Sequence, residues 1–188
     1  EAAAEMGLPV AIHPGSEGAG TAPNVTGAGR PTRYMEWHNI LPTNYMATVN
    51  SLVCEGVFVK YPQLKVVLLE SGVSWLPGFM WRLSKFWRGV RMETPWIDRS
   101  PFDIVRDHVR LTVQPYDGPD DLVAIEKSID HFQSDDMLLF ASDFPHWQFD
   151  GDETMPRGIP QRLHRKIRLD NPLATYSRLA NLTQPVGG

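Results

Sequence analysis

Four polar residues stand where four apolar runs of the sequence end: His13, Glu70, Gln114 and Asp143. An imidazole and two carboxylates are donors that zinc and similar divalent cations take in proteins. If the runs are neighbouring parallel strands, their carboxyl ends meet at one rim of the sheet, where active sites of barrels are assembled. Each residue alone also has an ordinary explanation as a hydrogen-bonded histidine, a helix-capping glutamate or a turn aspartate. The coincidence favours a metal site at that rim.

The runs that carry these residues have the character of buried parallel strands. They are residues 8–13, 64–70, 109–113 and 137–142. Each is continuously apolar, which is typical of strands covered on both faces. Helical patterns occupy about 43–60, 71–88, 101–108 and 120–132, with a last helix from Asn171-Pro172 through Leu179. The alternation predicts an α/β fold, either a doubly wound sheet or a barrel, and the lack of GxGxxG after the first strand weakens the dinucleotide-binding version.

Two histidines lie near the expected rim without ending a strand. His38 follows a long loop, residues 14–32, rich in glycine, alanine and threonine; such loops are usually functional or disordered. We weigh a place in the substrate pocket for His38 against an ordinary position on a surface loop. His146 stands three residues past Asp143, where it could form a hydrogen bond to that carboxylate or have only a structural role in its own loop.

Composition excludes several classes of function. The net charge of −4 over 188 residues, with a pI near 5.8, argues against a nucleic-acid surface, which needs a basic patch. No apolar run approaches the roughly 18 residues of a membrane span. Cys54 is the single cysteine, so no internal disulfide exists. We expect a cytoplasmic protein. Because Glu1 falls in what reads as the end of a helix capped by Gly7, we also expect an upstream segment.

The segments LPVAIHPG, YPQLKVVLLESGVSWLPGFMWRL, FASDFPHW and RKIRLDNPLATYSRL span nearly the whole chain. Together they resemble the C-terminal half of the amidohydrolase-related family. This branch of metal-dependent TIM-barrel enzymes includes aminocarboxymuconate-semialdehyde decarboxylase and the hydroxybenzoate decarboxylases. The resemblance implies that residues 1–188 are a single partial domain, the C-terminal half of a (β/α)8 barrel, with the four runs as its fifth to eighth strands.

The resemblance also implies roles for individual residues. It makes His13 and Asp143 ligands of a divalent cation, zinc in first place with manganese as the alternative. Asp143 is also expected to take a proton from water or substrate. Glu70 replaces a proton-handling histidine of the decarboxylases and could be a base or a ligand, so Asp143 and Glu70 are the expected catalytic residues. Arg82 matches an arginine near the substrate carboxylate, although a solvated helix position explains it equally well; His38 and His146 complete the expected substrate contacts.

The function that follows is a metal-dependent hydrolase acting on a small carboxylated or cyclic amide, ester or lactone through metal-activated water. A non-oxidative carboxy-lyase of the same family is one alternative, and a non-catalytic remnant or dimerising module is another. The first-strand HxH or acidic-x-His pair of the family is absent, so we expect the 188 residues alone to be inactive. Unpaired edges at 8–13 and 137–142 favour a homo-oligomer. The expected partner is a small-molecule substrate, without nucleic acid or membrane.

Overall fold

The computed structural model describes residues 1–15, 27–146 and 155–180. In this part of the chain, one parallel sheet has four strands in the order β1-β2-β3-β4. The strands are β1 (Val10–Ile12), β2 (Val66–Leu68), β3 (Val109–Thr112) and β4 (Leu138–Leu139). All four lie inside the predicted apolar runs but are shorter than them. Strands that follow one another in sequence are therefore neighbours in the sheet, as the strand–helix alternation predicts.

Helices fill the connections between the strands. Those of the described residues are α1 (Ala2–Glu5), α2 (Tyr34–Ile40), α3 (Pro42–Cys54), α4 (Val57–Lys60), α5 (Leu76–Val90), α6 (Pro101–His108), α7 (Leu122–Asp130), α8 (Gln161–Arg165), α9 (Asn171–Thr175) and α10 (Ser177–Ala180). A 3-10 turn, Arg91–Glu93, follows α5, and a π turn, Lys166–Asp170, joins α8 to α9. None of these helices has the length and apolar character needed to cross a bilayer.

The core forms where the sheet meets the helices. Every residue of β2 and of β3 is buried, which explains why β2 is apolar without alternation, whereas β3 also buries Arg110 and Thr112. On α3 the buried residues Tyr45, Val49 and Val53 recur at helical spacing and belong to the hydrophobic core. Asp121 caps α7, because its carboxylate accepts a hydrogen bond from the backbone N–H of Ala124 at 2.9 Å. The helices and the sheet thus share one hydrophobic core.

Two helix predictions are wrong in their bounds. The helix predicted over 43–60 is interrupted at Gly56, whose φ of 68° is left-handed. A Cβ there would lie 2.6 Å from the Trp96 ring, so only glycine fits, and the chain restarts as α4. The helix predicted over 71–88 starts only at Leu76. In addition, His38 lies on α2 rather than on a loop.

The end of the chain also differs from the predicted single helix over 171–179. Helical structure begins already at Gln161, passes through the π turn and continues into α9, so Asn171 is not the start of a free helix. Its buried side-chain amide donates hydrogen bonds to the carbonyl oxygens of Asp135 and Leu138, each at 2.9 Å. Asn171 thereby ties the C-terminal helices to the segment that contains β4.

Replacing Asn171 by alanine is expected to lower the free energy of unfolding by about 1–3 kcal/mol, because two carbonyl oxygens lose their donor. Urea unfolding followed by circular dichroism measures the change. Asn50→Ala is the matched control, since Asn50 is exposed on α3. Equal stability of the Asn171→Ala and Asn50→Ala proteins would contradict a tethering role for Asn171.

His108 lies at the amino end of the sheet, where a structural role is predicted. Its Nδ1 is 2.8 Å from the carbonyl oxygen of Leu64, and its ring stacks on Phe58 with centroids 4.6 Å apart. Burial lowers the pKa of His108, and the charges of Lys65 and Arg99 lower it further against the opposing charge of Asp107. The folded protein therefore favours the neutral imidazole.

The lowered pKa of His108 predicts acid-sensitive stability. The unfolded chain takes up a proton near the ordinary histidine value, while the folded chain resists it. The contribution of neutral His108 to the free energy of unfolding is therefore complete above the unfolded pKa of about 6.5 and is lost as the pH falls through the folded pKa. Urea unfolding of wild type and His108→Phe over this range should show a shallower pH dependence for the variant. The same pH dependence of stability in both proteins would contradict a lowered pKa of His108 in the folded chain.

Candidate active site

The rim at the carboxyl ends of the strands brings together the three ionisable residues predicted there. His13 directly follows β1, Glu70 lies just beyond β2, and Asp143 lies beyond β4. His13 Nε2 is 2.8 Å from Glu70 Oε1. The charge of Glu70 acts on Asp143, and the charge of Asp143 acts on His13, so all three lie within electrostatic reach. With its side chain 57% exposed, His13 leaves the group open to solvent.

His13 is oriented by contacts at both ring nitrogens. Nδ1 is 2.6 Å from the carbonyl oxygen of Pro14, which can only accept a hydrogen bond, so Nδ1 carries a proton. Nε2 faces the Glu70 carboxylate. Burial lowers the pKa of His13, but the bonds to Pro14 and Glu70 and the charges of Glu70 and Asp143 outweigh burial and raise it. The rim therefore stabilises positive charge at Nε2.

Asp143 is the most enclosed of the three ionisable groups of the rim. Its side chain is 8% exposed, and its Oδ2 accepts no hydrogen bond from any described residue, although His146 Nδ1 lies 3.3 Å away. Burial raises the pKa of Asp143, the charge of Glu70 raises it further, and the two carboxyls are close enough to share a hydrogen bond. His146 and His13 oppose this shift. Asp143 is thus a carboxyl whose surroundings favour the bound proton or a nearby cation over the bare anion.

Both carboxylates sit on left-handed backbone, with φ of 53° at Glu70 and 58° at Asp143. Such conformations in residues other than glycine cost on the order of 1–3 kcal/mol and concentrate at functional sites. Neighbouring contacts hold them in place. The Glu70 N–H donates to Thr112 Oγ1 at 3.1 Å, and the His146 N–H donates to the Asp143 carbonyl oxygen at 2.7 Å.

Asp117 braces the loop beside Glu70, and the sequence patterns did not single it out. Its carboxylate accepts hydrogen bonds from the N–H of Val73 at 2.6 Å, the N–H of Ser74 at 3.0 Å and the Ser74 hydroxyl at 2.8 Å. Gly72 has a φ of 68°, and a Cβ there would lie 2.3 Å from Asp117 Oδ2. The carboxylate therefore occupies space that only glycine leaves free.

A small cavity of about 110 Å³ adjoins the rim. Its polar lining includes His38 from α2 together with Glu70 and Asp117. The His38 ring lies against Tyr34, with ring centroids 5.5 Å apart. His38 thus lies close to the rim, as it must if it lines the substrate pocket.

Arg82 lies apart from this group. It is exposed on α5, with its guanidinium carbon 4.6 Å from the ring centroid of Phe86. Arg82 does not line the cavity that contains His38 and Glu70. A contact between Arg82 and a substrate carboxylate therefore stays a prediction.

The donor chemistry of the rim fits a divalent cation, although the described residues contain no group of three or more His, Cys, Asp or Glu side chains arranged to hold one. Metal-ligating histidines commonly donate their other ring N–H to a carbonyl oxygen, as the Nδ1 of His13 does here. Asp143 offers a buried oxygen that accepts no hydrogen bond from a described donor. His13 and Asp143 are therefore the residues that would hold the ion, with Glu70 beside them.

Comparisons with known proteins agree with this geometry. The model of the amidohydrolase family matches residues 1–178. No curated protein matches the chain. Among solved structures, amidohydrolase map2389c from Mycobacterium avium subsp. paratuberculosis K-10 has 24% identity and a TM-score of 0.66 over 100% of this chain and 45% of its own.

Two decarboxylases are similar as well. The dihydroxybenzoic acid decarboxylase from Polaromonas sp. JS666, solved with bound manganese and the inhibitor 2-nitroresorcinol, has 21% identity and a TM-score of 0.63 over 97% of this chain and 52% of its own. The 2,6-dihydroxybenzoate decarboxylase from Rhizobium has 18% identity and a TM-score of 0.64 over 97% of this chain and 54% of its own. At sequence identities of 18–24%, the similarity to these three structures shows a shared fold and nothing more. The chain spans about half the length of these structures, and its parallel sheet is a partial TIM barrel, as predicted.

Proposed function

Because the chain belongs to the amidohydrolase family, whose members are metal-dependent enzymes, we propose that the whole protein is a metal-dependent hydrolase. Its proposed substrate is a small carboxylated or cyclic amide, ester or lactone. The observation that carries the proposal is the meeting of His13, Glu70 and Asp143 at the carboxyl-end rim, where barrel enzymes assemble their active sites. Burial and the charge of Glu70 raise the pKa of the Asp143 carboxyl above its ordinary value, which favours a role in proton transfer.

His13 and Asp143 are the proposed ligands of the cation, zinc in first place and manganese as the alternative. Manganese is the ion bound in the similar Polaromonas decarboxylase. When bound, a divalent cation supplies positive charge that polarises a substrate carbonyl and acidifies water. His13 is ready for this role because its Nδ1 proton is held by the Pro14 carbonyl and leaves Nε2 directed at the acidic rim.

The carboxylates of Asp143 and Glu70 are the proposed proton-transfer groups. Asp143 accepts a proton from the attacking water and returns it to the departing nitrogen or oxygen of the substrate. Glu70 lies 2.8 Å from Nε2 of His13, the atom proposed to bind the ion, and provides a second base within reach of Asp143. His146, next to Asp143, and His38, in the adjoining cavity, are the proposed contacts to substrate oxygens. Arg82 is proposed to bind a substrate carboxylate.

Decarboxylation is the second candidate. The similarity to two decarboxylases favours it. Against it stands Glu70, a carboxylate at the position where the resemblance places a proton-handling histidine in the decarboxylases. We therefore place hydrolysis of an amide, ester or lactone bond first.

A substrate screen distinguishes the two reactions. The full-length protein, loaded with zinc or manganese, is offered lactones, amides, esters and aromatic carboxylic acids, and both acid release and carbon dioxide release are measured. The proposal expects acid release, and Asp143→Asn should reduce its rate by about 10²–10⁴-fold. Lys85→Gln, at an exposed residue of α5, is the control and should leave the rate unchanged. Carbon dioxide release would favour the carboxy-lyase, and turnover unaffected by Asp143→Asn would contradict both.

A further inference from the structure

A second cavity, of about 390 Å³, lies at the opposite face, against the amino ends of β2 and β3. Its charged lining is Lys65, Arg99, Arg106, Asp107, Arg110 and Asp136. Four of these groups are formally positive and two are negative, which leaves two excess positive charges in a protein whose net charge is −4. The hydrolase proposed above makes no use of this cavity.

The acidic groups are already engaged by other cations. Asp107 pairs with Arg99, and Arg106 pairs with Asp103, which lies outside the lining, as well as with Asp107. Asp136 pairs with Lys166, whose Nζ is 2.6 Å from Asp136 Oδ1. The two excess charges therefore belong to Lys65 and Arg110, neither of which forms an ion pair with a described carboxylate.

Lys65 and Arg110 are instead held by neutral carbonyl oxygens. Arg110 is 8% exposed, and its Nη1 donates to the carbonyl oxygens of Arg106 at 3.1 Å and Val109 at 2.9 Å. Lys65 Nζ donates to the carbonyl oxygen of Asp107 at 2.7 Å. Burial lowers the pKa of Lys65 and of Arg110, and the charge of Arg110 lowers that of Lys65 further, while the charges of Asp107 and Asp136 oppose these shifts.

This arrangement is costly without an anion. Buried charges are normally paired, because removing an ion from water is repaid only by an opposite charge and good hydrogen bonds. A purely structural role would be served as well by apolar side chains of similar volume. The cations are nevertheless kept beside a cavity, which an oxyanion could enter to bond both of them.

We propose that this cavity at the amino-end face binds a phosphate group, held by Arg110 and Lys65. A phosphate dianion matches the two excess positive charges and presents several acceptor oxygens to a guanidinium and an ammonium. The group can come from inorganic phosphate or from a small phosphate monoester. The site lies apart from His13, Glu70 and Asp143, so it does not depend on the reaction proposed for the rim.

Calorimetric titration of the chain with inorganic phosphate tests the proposal, with sodium chloride balancing ionic strength. We expect saturable binding that Lys65→Met weakens by about tenfold or more, the loss of one charge-assisted hydrogen bond. Lys85→Met, which removes an exposed cation from α5, should bind phosphate as wild type does. Arg110→Met is expected to weaken binding too. Because Arg110 is buried, Arg110→Met is first checked for folding. If Arg110→Met is unfolded, the phosphate affinity of Lys65→Met alone tests the proposal.

A parallel titration with glycerol phosphate distinguishes the two sources of the group. Tighter binding than inorganic phosphate supports a monoester, and weaker binding supports the free ion. The proposal is overturned if wild type shows no saturable binding of either compound, or if Lys65→Met binds phosphate with wild-type affinity.

Discussion

The Asp143→Asn variant is expected to bind zinc and manganese at least about 100-fold more weakly than the unaltered chain. Loss of an outer partner of a metal ligand already costs 10–100-fold in typical sites, and here a ligand itself is altered. Asparagine keeps the shape of aspartate but removes the negative charge that the enclosed Oδ2 offers. His13→Ala should produce a similar loss, because it removes the only nitrogen donor proposed for the ion.

Titration calorimetry of the purified chain with manganese chloride and zinc chloride measures this effect. Asp98→Asn is the control, since Asp98 is exposed and follows the 3-10 turn, away from the rim. Asp143→Asn should also fold normally, because it removes the repulsion between residues 143 and 70. Metal affinity equal to that of wild type in both Asp143→Asn and His13→Ala would show that the ligands are assigned wrongly.

Replacing Asp117 by alanine is expected to lower the free energy of unfolding by about 2–4 kcal/mol. The variant loses three hydrogen bonds to a charged acceptor, and it leaves the N–H of Val73 without its partner. Asp117→Asn retains one acceptor oxygen and should cost less. Because these bonds hold the loop that follows Glu70, the alanine variant should also weaken metal binding at the rim.

Urea unfolding, with midpoint and slope compared, measures the stability of both Asp117 variants. Asp120→Ala provides the control, since Asp120 is exposed and α7 is capped by Asp121 instead. A loss below about 0.5 kcal/mol for Asp117→Ala, the range of ordinary surface substitutions, would contradict the bracing role.

The parallel sheet and its rim could be predicted because each depends on a short stretch of sequence. Continuous apolar runs show where strands are buried on both faces, and a polar residue at the end of a run shows what reaches the rim. His13 and Glu70 accordingly lie 2.8 Å apart, although 57 residues separate them in the chain. Their roles in metal binding and catalysis stay predictions.

The features that could not be predicted depend on contacts between distant residues. Asp117 looks like a turn residue, and its partners Val73 and Ser74 lie more than 40 residues earlier. Gly56 fits a helical pattern, and the local sequence shows neither its left-handed φ, which ends the helix, nor the nearby Trp96 ring, which excludes a Cβ. Asn171 before proline is a common helix start, so its bonds to the segment containing β4 could not be inferred from the local pattern.

The most direct test of the whole account is the position of a bound ion. Crystals of the chain grown with manganese chloride, recorded with X-rays at which manganese scatters anomalously, locate the ion without assumptions about its ligands. The account predicts a peak in contact with both Nε2 of His13 and the carboxylate of Asp143. A peak elsewhere, or none at the carboxyl ends of the strands, would contradict it.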